Sequence, residues 1–249
     1  MTKKKTEMIR LNKFLSSKGI GSRRYCEALI RGGEVIVNGT IGHIGMKIDP
    51  HQDQIFLKNM GKINSHIPEL RYLMLYKPCG YLTTMADPFS RPTIQELIPK
   101  IKERVYPIGR LDFQSEGLLL LTNDGNLAYK LSHPSSMISK TYLVKVKGKP
   151  SPQLQNKLKK GIKLDDGWSS LDSICELKSR TTANAWFKLT IHEGKNRMIR
   201  RIFLAVKHPV LKLKRIRIAG ISIGQLKPGE WRYLTTQEIQ LLKEYTYKS

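Results

Sequence analysis

The stretch Val105-Tyr-Pro-Ile-Gly-Arg-Leu-Asp112-Phe-Gln-Ser-Glu-Gly117-Leu-Leu-Leu-Leu-Thr122-Asn-Asp-Gly125 holds two apolar runs around a turn-rich loop. Residues 105–108 read as one strand and 117–122 as a second, which stops at Asn123-Asp124-Gly125. Asp112 lies in the loop between them, where an isolated aspartate is by default a turn former. Outward from this stretch the pattern stays rich in strands. Residues 71–76 form a buried run, and 141–147 alternate, with Tyr142, Val144 and Val146 on one face. A short helix is expected at 127–131, and Ser151-Pro152 opens another in N-cap and first-turn positions. Strands follow at 174–178 and 185–191, then a helix at 196–206 with Ile199, Ile202 and Phe203 inward and Arg197, Arg200 and Arg201 outward. A strand at 211–218 carries four basic residues, and Thr235-x-x-Glu238 is a capping box for a last helix. Strands and a few helices without regular βα alternation predict an α+β class with a mainly antiparallel mixed sheet.

The N-terminal part has a different grammar. Leu11, Phe14 and Leu15 have helical spacing up to Gly19, and Ser22 caps a helix over 23–31 that stops at Gly32-Gly33. Residues 34–37 then run as a strand into Asn38-Gly39, a hairpin signal, and 55–57 close a small sheet. Residues 58–69 lack apolar periodicity. The expected division is a helix-helix-hairpin domain at 8–57, a linker at 58–70 and a larger domain at 71–245.

Charge narrows the function. The chain has 249 residues, 44 Lys and Arg against 20 Asp and Glu, and a formal net charge of +24, which suits a polyanionic partner. Residues 1–70 hold 12 basic and 6 acidic residues and 71–249 hold 32 and 14, so both parts are basic. The windows 140–163 and 195–217 contain no acid and are expected contact surfaces. On the two N-terminal helices Lys13, Lys18, Arg23, Arg24 and Arg31 cluster around a glycine turn, either as phosphate ligands or as a solvated helix face.

Other chemistries find no support. The longest strictly aliphatic run is 118–121, against about 20 apolar residues for a membrane-spanning helix. With no apolar stretch behind the N-terminal lysines, a cytoplasmic protein is expected. Cys26, Cys79 and Cys175 are far apart, the histidines have no partner at ligand spacing, and phosphate-loop and dinucleotide fingerprints are missing. No metal and no cofactor are expected, which leaves the chemistry to side chains.

Two longer patterns carry a resemblance. Arg10-Leu-Asn-Lys-Phe-Leu, Gly21-Ser-Arg-Arg and Ile30-Arg-Gly-Gly-Glu-Val-Ile-Val-Asn-Gly39 closely resemble the RNA-binding S-four domain named after a small-subunit ribosomal protein. Gly109-Arg-Leu-Asp112, followed by Ser115-x-Gly-Leu-Leu-Leu-Leu-Thr-Asn-Asp-Gly125, is similar to the signature loop of the pseudouridine synthases that modify ribosomal RNA and carry that domain. Tyr76-Lys-Pro-x-Gly80, Thr83-Thr84, Asp87-Pro88, Arg91-Pro-Thr93, Lys140-Thr-Tyr142 and Glu193-Gly-Lys-Asn-Arg-x-Ile-Arg-Arg201 complete the pattern, which spans residues 9 to about 242.

The resemblance implies a central RNA-binding cleft and a reaction without cofactor. It makes Asp112 the essential catalytic carboxylate, nucleophile or trigger of elimination, and Arg200 the cation that holds it ionised. Arg200 is otherwise a phosphate contact, with Arg110 anchoring the loop. Tyr142 becomes the aromatic on which the extruded base stacks, although strand spacing alone makes it a core or cross-strand aromatic. Lys77 and Arg91 are implied as RNA contacts or loop anchors, and Arg110, Lys140, Lys195, Arg197 and Arg201 join the RNA-contact set. Asp124 is structural. Phe113-Gln114-Ser115-Glu116 and Met198 depart from the usual filling.

The expected partner is ribosomal RNA, free or in a pre-ribosomal particle, bound by a monomer. The large-subunit branch is the most similar, with the small-subunit branch and a non-catalytic ribosome-assembly factor as alternatives.

Overall fold

The computed structural model describes residues 8–64, 68–178 and 183–247, and the chain divides into two compact units, one of the residues up to Leu70 together with Lys102–Arg104, the other of Arg71–Ile101 and the residues from Val105 onward. The first contains β1 (Ile9–Arg10), α1 (Leu11–Ser17), α2 (Arg23–Arg31), β2 (Val35–Val37), β3 (Thr40–Ile41), β4 (Lys47–Ile48), β5 (Ile55–Leu57) and β6 (Gly61–Lys62). Ser22 caps α2 by accepting the Tyr25 amide at 3.1 Å. Asn38 and Gly39 adopt φ of 51° and 83°, the positive values that a two-residue hairpin turn requires between β2 and β3. Leu11, Phe14 and Leu15 of α1 pack with Cys26 and Ile30 of α2 on Val35 and Val37. The four-stranded order is β3-β2-β5-β6. β6 therefore turns part of the expected 58–70 linker into sheet; its exposed Gly-Lys pair has no apolar signal because the ladder there is made by backbone alone.

The second unit contains β7 (Tyr72–Lys77), β8 (Tyr106–Ile108), β9 (Glu116–Thr122), α3 (Gly125–Ser132), β10 (Lys140–Lys147), α4 (Pro152–Lys160), β11 (Ile162–Leu164), β12 (Gly167–Ser169), β13 (Ser173–Leu177), β14 (Asn184–Ile191), α5 (Met198–Ala205), β15 (Val210–Ile218), β16 (Ile221–Ser222), β17 (Trp231–Tyr233) and α6 (Thr236–Tyr247). Its main sheet runs β13-β14-β10-β15-β9-β7-β17, with β16 on β15 and β8 on β9. Among the described residues its strand pairs are antiparallel except β9 with β15, which pair in parallel through Lys214–Glu116 and Arg215–Gly117. This seam needs a glycine: Gly117 has φ 110°, and a Cβ there would lie 2.2 Å from the Arg215 carbonyl oxygen.

All six residues of β7 are buried, because cores lie on both faces of the sheet. Met74, Tyr76, Leu118 and Leu120 face the core with α3 and α6. Leu73, Leu75, Leu119 and Leu121 form a core on the other face with Ile94 and Val105. Tyr142, Val144 and Phe187 pack with Ile202 and Phe203 of α5. Asp124 is an N-cap, accepting the amides of Asn126 and Leu127 at 3.1 and 3.0 Å. The capping box of α6 forms through Thr235 and Glu238. α5 starts at Met198 rather than 196, since Arg197 takes the left-handed φ of 47° before the first helical turn. The β11–β12 hairpin was not foreseen, because Asp165-Asp166-Gly167 reads as a loop until its flanks pair.

Candidate active site

Strand register builds the floor of the site. Tyr142 on β10 lies opposite Arg215 on β15, Arg215 opposite Gly117 on β9, and Gly117 opposite Lys77 on β7. Residues opposite one another share a face, so Tyr142, Arg215 and Lys77 line one row across the parallel seam. The loop between β8 and β9 folds next to this row, and Leu111 joins the same buried cluster as Tyr142.

Six consecutive carbonyls of the loop are held by donors. Arg215 Nη1 donates to Arg110 at 3.4 Å and its Nε to Leu118 at 2.8 Å. The Thr83 hydroxyl donates to the Leu111 carbonyl at 2.6 Å and accepts the Leu111 amide at 3.1 Å. Lys77 Nζ donates to Asp112 at 3.2 Å, Ser115 at 2.8 Å and Pro78 at 2.9 Å. The Gly80 amide takes the Phe113 carbonyl at 2.9 Å, and Arg200 Nη2 takes that of Gln114 at 2.8 Å. This pairing satisfies the backbone of an irregular loop, whose Leu111 and Ser115 are buried, and fixes its shape.

The carboxylate has a different environment from the backbone beneath it. Among the described residues it accepts no hydrogen bond, and its side chain keeps 31% of its surface exposed. Its nearest cation is Arg200, whose Nε stands 3.9 Å from Oδ2, beyond hydrogen-bond length, and has no other partner. Burial pulls the Arg200 guanidinium below its ordinary value, with the charge of Asp112 acting the other way. Burial also brings Lys77 down to about 8. An accessible anion with open lone pairs, fixed by its own main chain and ringed by cations, is equipped to act as a nucleophile or base. Among the described residues, no three of His, Cys, Asp or Glu converge as a metal site.

Residues 71–205 match the RNA pseudouridylate synthase family and residues 9–51 match the S4 domain. An uncharacterized RNA pseudouridine synthase of Aquifex aeolicus is 43% identical over 238 residues, covering 94% of both chains. The chain belongs to the RNA pseudouridine synthase family. The synthase is also 41% identical to ribosomal large subunit pseudouridine synthase B of Bacillus subtilis, over 95% of this chain and 96% of that one. A crystal structure of a pseudouridylate synthase superposes with a TM-score of 0.65 at 29% identity, covering 94% of this chain and 99% of the other.

The synthase sorts its expected RNA contacts by burial. Lys77 is 0% exposed and anchors the loop, so its ammonium is out of reach of an RNA phosphate. Lys140 donates to the carbonyls of Ile138 and His192 at 3.2 and 3.1 Å, and burial lowers it to about 8. Lys195 donates to the Trp168 carbonyl at 2.6 Å and to Ser169 Oγ at 3.2 Å, and Arg201 forks Asp166 at 2.8 and 2.7 Å. These head groups are engaged by protein acceptors, Lys140 in a part-buried setting and Lys195 and Arg201 at the surface with 31% and 27% of their side chains exposed, so structural bonds stand beside their reading as RNA ligands. Arg91 is likewise forked on Asp87, at 3.1 and 2.7 Å, and its guanidinium lies 5.2 Å from the Phe89 ring.

Arg110 and Arg197 remain exposed, as do Lys13, Arg23, Arg24 and Arg31; Lys18 is half-buried, its Nζ 5.2 Å from the Phe14 ring. Arg215, 3% exposed, and Thr83, 6% exposed, are site-building residues that sequence reasoning left unassigned. A signal for the first existed: on an alternating strand Arg215 shares the inward face of Leu213.

Proposed function

We propose that the synthase isomerises a uridine of large-subunit ribosomal RNA, without cofactor, as a cytoplasmic monomer. The observation that carries this reading is the Asp112 carboxylate, held accessible on a loop whose carbonyls from Arg110 to Ser115 are engaged and 3.9 Å from Arg200. The 41% identity to a large subunit pseudouridine synthase supports the choice of RNA. In the reaction the N1–C1′ bond of the nucleotide breaks, the base turns, and a C5–C1′ bond forms. The C5 proton is lost and N1 gains one, so the product is an isomer. Asp112 acts at the nucleotide to open the glycosidic bond, and Arg200 stabilises its negative charge. Tyr142 supplies an aromatic floor that offsets part of the unstacking cost of the extruded base.

The test maps pseudouridine in 23S and 16S rRNA from cells with and without the gene, and from cells complemented with Asp112→Asn. The expected result is one or more sites in 23S rRNA that vanish without the gene and stay absent with Asp112→Asn, while the purified variant still binds RNA. Full activity of Asp112→Asn, or dependent sites in 16S rRNA alone, contradicts the proposal.

A further inference from the structure

We infer that Trp168, displayed on the β11–β12 hairpin, is a stacking platform for an unpaired RNA base beside the target uridine; the inference rests on the RNA reading above. Trp168 is 66% exposed although it lies in a paired strand, directly opposite exposed Lys163. Its Cε3 rests over the bare backbone of Gly161, where an added Cβ would come within 3.4 Å. One part of the indole is thus supported and the rest is open to solvent. Base stacking on an exposed aromatic ring, with cations nearby for the phosphates, is a recurring way to hold single-stranded RNA.

The hairpin is braced more firmly than an idle surface loop needs. Lys195 clamps the Trp168 carbonyl at 2.6 Å, Arg201 forks Asp166, and Ser169 is 2% exposed. These bonds hold the main chain of Trp168 and leave the ring untouched. Arg201 follows Arg200 in α5, so adjacent guanidinium groups hold the hairpin and the Asp112 loop from one helical turn. A base stacked on Trp168 therefore has a fixed spacing from the nucleotide at Asp112. The fork neutralises Asp166, while Lys163 and Arg197 face solvent and Asp165 stays exposed. A second copy of the chain is a poor occupant, since each carries a net charge of +24.

The experiment uses the full-length protein and a transcript of 23S rRNA. In a protein with Trp186→Phe and Trp231→Phe, Trp168 is the remaining fluorophore of three. Its emission should be quenched as the transcript binds, with binding followed independently by filter retention. In the wild-type background Trp168→Ala should weaken RNA binding and raise KM roughly 5- to 100-fold with kcat unchanged, and Trp168→Phe should recover most of the loss.

Binding without change in Trp168 emission, or equal affinity for Trp168→Ala and wild type, overturns the inference. So does concentration-dependent dimerisation that Trp168→Ala abolishes while RNA affinity stays put. If the wild type binds the transcript but forms no pseudouridine in it, the proposed function fails, and quenching still decides the role of Trp168.

Discussion

The two units use the same residue types for opposite tasks. In the S4 unit Lys13, Arg23, Arg24 and Arg31 lie on the outside of α1 and α2, over an apolar interior. In the catalytic unit Lys77 is 0% and Arg215 3% exposed, and the Arg200 side chain keeps 12% of its surface. Their donors go to backbone carbonyls rather than to solvent. A net charge of +24 therefore mixes two quantities: cations that give affinity for a polyanion, and cations that build the floor under one carboxylate.

The sharpest way to break this division is Lys77→Met. The methionine fills much of the same space but leaves the carbonyls of Pro78, Asp112 and Ser115 short of a donor in a dry environment. The expected cost is about 2–5 kcal/mol of stability. Activity should fall on the order of 100-fold, since a small displacement of a reacting group costs that much. Calorimetry and single-turnover assays with saturating RNA read both effects, and the salt slope of RNA binding should be unchanged. A variant with full activity and only weakened, less salt-dependent binding would make Lys77 a phosphate ligand.

How far the sequence carried this division depends on the element. Short helices and hairpins with local signals were legible: Ser22, Asn38-Gly39 and Thr235-x-x-Glu238 act within a few residues of themselves. The Asp112 loop was legible through its motif, but its support was not. Lys77, Thr83 and Arg215 lie 35, 28 and 105 positions from their carbonyl partners in the loop, and only strand register brings them together. Basic residues in acid-free windows read as RNA ligands because composition cannot distinguish a solvated ammonium from one clamped on a carbonyl. Lys140 and Lys195 show the difference. The β11–β12 hairpin escaped for a related reason, its braces coming from Lys195 and Arg201, more than 25 residues away.

The next effect is on pH. Burial sets Lys77 at about 8, so below that pH the ammonium supplies a proton to each of its three carbonyls, and above it a lone pair faces one of them. Turnover should fall as pH rises through about 8, by roughly tenfold at pH 9 if the charged form is required. Stability has the opposite sign. Between about 8 and the ordinary lysine value the unfolded chain binds more protons than the folded one, so this group's contribution raises stability as pH climbs. Loss of turnover without loss of folding, measured by activity and circular dichroism on the same samples, distinguishes loosening of the loop from alkaline unfolding. Lys140 titrates in the same window, so the decline should persist in Lys140→Arg.

The smallest effect should come from the outer cations, and its form matters more than its size. Lys13, Arg23 and Arg24 are exposed on α1 and α2. Replacing all three with glutamine removes charge and leaves the packing of Leu11, Phe14, Leu15 and Ile30 intact. If each neutralises one phosphate, the slope of log affinity against log salt should flatten by about 2–3, with affinity down on the order of tenfold at moderate salt. Melting temperature and kcat at saturating RNA should match wild type, the reverse of the Lys77→Met profile. The two variants form a crossed test, because charge that works through counterion release disappears at high salt and charge that works by holding carbonyls does not. An unchanged slope in the triple variant would take these three residues out of RNA binding and return them to the role of a solvated helix face.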